Sequence, residues 1–194
     1  MKALVLQPTE VAQWHALVAE AQAACHLSLD ETLESYLVFL LMRFAGRPDL
    51  ARRVTALEFL EAQHQGAQQA DKLRDVGDNC LLFSGFFPQM AETRLVRVSY
   101  FVRIGRSAYD QLALLRNRKR DRLYGRLADA FVAVMDVLHA MRGLAGEPVL
   151  QPLAAAELWA DTGSRSAFRE IRDYCDGLPA VSYTHLTLPT KESR

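Results

Sequence analysis

Two stretches of the chain space a carboxylate and an imidazole as a metal would need them. Glu61-Ala-Gln-His64 is an E-x-x-H, and Asp136-Val-Leu-His139 is a D-x-x-H. Residues three apart share one face of a helix, and helices carrying this spacing present ligands to the interior of di-iron and di-manganese bundles. Glu61 and His64 continue the apolar face of Leu50, Val54 and Leu57. Asp136 and His139 sit on the flank of a face built from Tyr124, Leu127, Phe131, Val134 and Leu138. A complete centre also needs single carboxylates from two further helices. Glu34 and Asp110 are the nearest candidates, Asp110 on a polar face. The competing account of His139 is plainer: an imidazole near a helix C-terminus complements the dipole.

The run RNRKRDRLYGR gathers six basic side chains and one acid: Arg116, Arg118, Lys119, Arg120, Arg122 and Arg126 against Asp121. A cluster of this kind can neutralise phosphates, with salt-dependent binding as its signature. Only Tyr124 offers an interleaved aromatic. Arg122 and Arg126 fall on the polar side of the helix that follows, where Asp129 is spaced to pair with Arg126. The run therefore reads as a solvated interhelical turn leading into an exposed helix surface, and retention on nucleic acid is disfavoured.

Other chemistries lack their residues. There is no G-x-x-x-x-G-K-[ST], no G-x-G-x-x-G and no G-x-S-x-G. Cys25 and His26 are neighbours in sequence, which does not by itself bring thiol to imidazole. Cys25, Cys80 and Cys175 are far apart and odd in number, so reduced, buried thiols in a cytoplasmic protein are expected. Lys plus Arg and Asp plus Glu number 23 each, a formal net charge of zero that draws the protein toward neither nucleic acid nor anionic lipid. The opening MKALVLQPTE is too short in apolar residues for a signal sequence, and LVFLLM is cut off by Arg43 before it could span a bilayer.

The elements that must position these residues are helices. Ser28-Leu29-Asp30-Glu31 is spaced as a capping box, followed by Leu33, Leu37, Leu40, Leu41 and Phe44 on one face. The periodicity predicts helices near 9–25, 29–45, 49–64, 67–87, 95–116, 119–142, 152–161 and 165–175, packed as a single-domain all-α bundle. In the helix near 95–116, Val98, Phe101, Gly105, Ala108, Tyr109 and Leu112 share one face. Ser99, Arg103, Arg106, Asp110 and Asn117 share the other. Gly77, Cys80 and Ser84 form a small-residue stripe on the preceding helix, spaced for close approach to the Gly105/Ala108 face. The aromatic group Phe83, Phe86, Phe87, Tyr100 and Phe101 reads as core.

GDNCLLFSGFFP followed by YFVRIGRSAYDQLA resembles a core pattern of uncharacterised all-helical proteins of bacteria. The likeness covers roughly residues 70–115. It implies a fold type and lends no catalytic residue. The final stretch is of another character: residues 181–188 alternate as V-S-Y-T-H-L-T-L, and VSYTHLTLPT resembles the translation of a transposase-type sequencing-library adapter. Residues 1–180 are thus expected to form the helical domain. Residues 181–194 are expected to be an artefactual, disordered and dispensable tail, with the natural C-terminus missing.

Taken together, the residues favour a non-enzymatic helical interaction or regulatory module that holds a protein partner and needs no cofactor and no membrane. The alternative is a metal-dependent helical-bundle enzyme of the di-iron or di-manganese type, centred on Glu61, His64, Asp136 and His139.

Overall fold

A computed structural model describes residues 9–46, 68–89, 91, 95–116, 122–144 and 150–176. They form eight α-helices: α1 Glu10–Cys25, α2 Glu31–Ala45, α3 Gln69–Phe86, α4 Val98–Arg116, α5 Arg122–Asp129, α6 Phe131–Leu144, α7 Pro152–Thr162 and α8 Arg165–Asp176. No strand occurs among the described residues, as expected of an all-α bundle. The expected helix near 49–64 and the tail at 181–194 lie outside them. No helix among the described residues is long and apolar enough to cross a membrane.

Local chemistry sets the helix ends. Thr9 caps α1 by accepting from the Ala12 N–H at 3.2 Å. The cap of α2 is Asp30 and not the expected Ser28: its carboxylate accepts from the Thr32 and Leu33 N–H groups at 3.0 and 3.2 Å. The reason lies in α1, whose Gln22 side-chain oxygen takes the Leu29 N–H at 2.6 Å. That bond holds Leu29 in the connector and moves the helix start forward.

The most extensive pairing joins α3 to α4, and glycines make it possible. A Cβ on Gly77 would lie 2.5 Å from the Tyr109 ring, and one on Gly105 would lie 2.5 Å from Phe131 and 2.8 Å from the Cys80 Cβ. The small-residue stripe therefore does bring the two helices together, with aromatic rings filling the notches. Phe83 stacks on Phe101 at 5.5 Å between the same helices. The expected inner face of α4, from Val98 to Leu112, is buried throughout. Ser99, expected on the polar face, is buried as well, because its hydroxyl donates to Asp161 of α7 at 2.6 Å.

The single helix expected near 119–142 is two, α5 and α6, with a break at Ala130. The Arg106 Nε–H donates to the Ala128 carbonyl at 3.1 Å. A side chain inserted at a ladder carbonyl is a recognised cause of a bend in a helix.

Candidate functional site

Asp136, His139 and Arg142 recur every third residue on α6 and form a stripe against two helix ends. Asp136 and His139 are each 2 % exposed. The last carbonyls of any α-helix have no intrahelical partner. At the end of α3 the Ser84 carbonyl accepts from His139 Nε2 at 2.7 Å, and the Phe86 carbonyl accepts from Arg142 at 2.6 Å. At the start of α8 the Asp136 carboxylate accepts the Arg165 N–H at 2.8 Å and the hydroxyls of Ser164 and Ser166 at 2.6 and 2.8 Å. The Ser164 hydroxyl in turn accepts from the Ala167 N–H. An anion thus faces the positive end of one helix, and proton donors face the negative end of another.

This geometry revises the plainer account of His139. The dipole it complements is that of α3, across the interface, and not that of its own helix. Because Nε2 faces a carbonyl, it carries a proton, and Nδ1 meets the Ser166 hydroxyl at 2.7 Å. The Ser166 hydroxyl, which donates to Asp136, also lies 3.1 Å from the Ser164 hydroxyl. Burial holds the imidazole below its ordinary range, with Asp136 and the Ser84 carbonyl pulling against that.

The sequence-predicted metal residues therefore divide. Asp136 and His139 do face inward together, but their polar atoms are engaged by Ser164, Arg165, Ser166 and Ser84. Glu61 and His64 lie outside the described residues. Glu34 accepts from Gln22 at 3.0 Å and meets the His15 ring at 3.0 Å, which holds its carboxyl below the usual range. Among the described residues no three His, Cys, Asp or Glu side chains cluster as metal ligands would.

The basic run is described only at its edges. Arg116 ends α4, Arg118, Lys119 and Arg120 lie outside the described residues, and Arg122 is exposed at the start of α5. Arg126 reaches Asp30 at 2.6 Å and so ties α5 to the cap of α2. Cys25 and Cys80 are buried, as expected, but Cys175 is exposed. The Cys25 thiol donates to the Gln22 carbonyl, and burial pushes its pKa up, away from a reactive thiolate.

A second buried network was not anticipated. Asp78, 1 % exposed, accepts from the phenols of Tyr36 and Tyr109 at 2.5 and 2.7 Å and from Arg43 at 2.5 Å. Burial pushes its carboxyl up, while Arg43 and the two phenols pull it back. Both tyrosines are raised well above their ordinary range, first by burial and then by Asp78. Tyr124 packs on both rings, at 6.2 and 6.1 Å. Asp78 comes from GDNCLLFSGFFP and Tyr109 from YFVRIGRSAYDQLA, so the two stretches meet here. Asp78, two residues before the nearly apolar stretch from Cys80 to Phe87, was the available signal.

No family model, no curated protein and no solved structure matches this chain.

The surface carries two further features. Trp159 of α7 and Phe168 of α8 pack at 5.4 Å, yet each is 46 % exposed. On the other side of α7, a cleft of about 530 Å³ opens against α4, lined by Arg97, Arg103 and Arg106 among others.

Proposed function

We propose that the protein is a non-enzymatic helical interaction module, with the α7–α8 hairpin as its docking face for a protein partner. The observation that carries this reading is the use made of its reactive side chains. Asp136, His139 and Asp78 spend their hydrogen-bonding capacity joining helices, which suits a scaffold. Recognition then falls to the surface. Trp159 and Phe168 form a rigid aromatic pair held by two packed helices, and Leu153 stands 73 % exposed on the same α7. Aromatic anchors of this kind dominate the energetics of protein interfaces. A partner with a complementary apolar patch fits this pair.

A photo-crosslinking residue in place of Phe168 tests the reading in the native host. It is expected to trap one protein that a probe at exposed Glu20 does not, and that protein should bind the purified chain. Trp159→Ala should then weaken binding by about 2 kcal/mol or more, as for an interface hot spot. Identical products at both probe positions would overturn it. So would stoichiometric iron or manganese in the purified protein that is lost on His64→Ala, which would establish the metal-dependent alternative.

A further inference from the structure

We propose that the cleft between α4 and α7 binds a soluble small molecule bearing a diphosphate. Arg97, just before α4, and Tyr100, Arg103 and Arg106 on it, at every third residue, all line this cleft as a stripe that winds around the helix. Three guanidinium groups on one cleft suit two linked phosphoryl groups better than one. The cleft's volume, about 530 Å³, lies within the roughly 300–1,000 Å³ of small-molecule sites. The other clefts described, at Ser166 and at Asp78, are each about 210 Å³ and mix guanidinium with two or more acids or sit over a filled network.

The charges along the stripe are unequally compensated. Arg97 meets Glu157 at 3.2 Å and Asp161 at 3.6 Å. Arg106 spends its Nε–H on the Ala128 carbonyl, and among the described residues neither Arg103 nor Arg106 meets a carboxylate. The first turn of α4 contains no acid, so the positive end of the helix dipole adds to the same field. Guanidinium groups match phosphate geometry with paired N–H donors. Asp161 sits in the position of a resident anion: its carboxylate takes both the Ser99 hydroxyl and Arg97. A bound diphosphate would compete with Asp161 for Arg97 while engaging Arg103 and Arg106.

The test is titration with inorganic pyrophosphate, read by calorimetry. Saturable binding is expected. Arg103→Gln and Arg106→Gln should each weaken it about tenfold, the loss of one charge-assisted hydrogen bond where tenfold is about 1.4 kcal/mol. Arg103 is exposed and holds no other contact among the described residues, so its variant should fold normally. Asp161→Asn should tighten binding severalfold by removing the competing carboxylate. Wild-type affinity in both arginine variants would overturn the site, as would binding to phosphatidylcholine vesicles with a tenth of phosphoinositide bisphosphate and none to pyrophosphate. An Asp161→Asn protein that binds no tighter would overturn the displacement. The proposal is independent of the hairpin docking face, because pyrophosphate binding and the Trp159→Ala effect on a protein partner are separate measurements.

Discussion

At the scale of single residues, the buried polar groups of this protein are costly to leave half-made. Asp78 is the clearest case, with two phenols and a guanidinium pointing at one carboxylate. Asp78→Ala leaves all three donors without that acceptor and is expected to cost about 3–5 kcal/mol in a urea melt. Asp78→Asn keeps one acceptor oxygen and should cost less. His139 makes a pH-dependent contribution whose sign follows from its burial. The unfolded chain takes up a proton near the ordinary value of 6.5, and the folded chain does so only at lower pH. Below 6.5 the unfolded state therefore binds more protons, and stability present above that pH is lost as pH falls toward the depressed folded value. His139→Gln retains an N–H for the Ser84 carbonyl and should show a shallower acid-side loss of melting temperature than the parent. Equal slopes in the two proteins would refute the assignment. Neither network could be read in full from the sequence. Asp136 and His139 were visible as a spacing, but Ser164 and Ser166 lie 28 and 30 residues from Asp136, and Tyr36 lies 42 residues from Asp78. No local pattern joins partners that only tertiary packing brings together.

At the scale of helices, much more was legible, because periodicity and glycine placement are local. The inner face of α4 is the one its spacing predicts, and Gly77 and Gly105 sit where the helices approach. The misses have identifiable causes. The α2 start moved from Ser28 to Asp30 because Gln22 of another helix claims the Leu29 N–H, and the α5–α6 break falls where Arg106 of α4 reaches a ladder carbonyl. Both are interventions from a neighbouring element that a one-dimensional reading cannot register. The glycine notches carry their own prediction. Gly77→Ala places a methyl 2.5 Å from the Tyr109 ring, which is itself bonded to Asp78 and cannot swing away freely. The substitution should destabilise by about 1–3 kcal/mol in spite of alanine's better helix propensity. An unchanged or raised melting temperature would show that α3 and α4 separate more easily than their packing implies.

At the scale of the whole molecule, α6 is the organising element, and the helix termini around it share one electrostatic logic. Its stripe of Asp136, His139 and Arg142 meets the end of α3 and the start of α8, so two helices distant in sequence are fixed by one. Arg169 extends the arrangement from α8 to α1, donating to the Ala24 and Cys25 carbonyls at 2.9 Å each. Arg169→Ala should cost about 1 kcal/mol, the modest value appropriate to a partly solvated contact, and should raise amide exchange at the end of α1 before the rest of the chain. The polar stripe on an otherwise apolar helix gives the bundle a fixed register.

The same Arg169 contact has a consequence for biosynthesis. Its two acceptors lie 145 and 144 residues earlier in the chain. The end of α1 emerges from the ribosome long before the side chain that completes it. During that interval the Ala24 and Cys25 carbonyls lack this donor, and until α6 has also emerged the face of α1 that packs on it is uncovered. Closing so long a loop is also slow relative to local helix formation. Nascent chains arrested just short of Arg165 should therefore be cut by protease within residues 10–25, and chains arrested with α8 fully extruded should not.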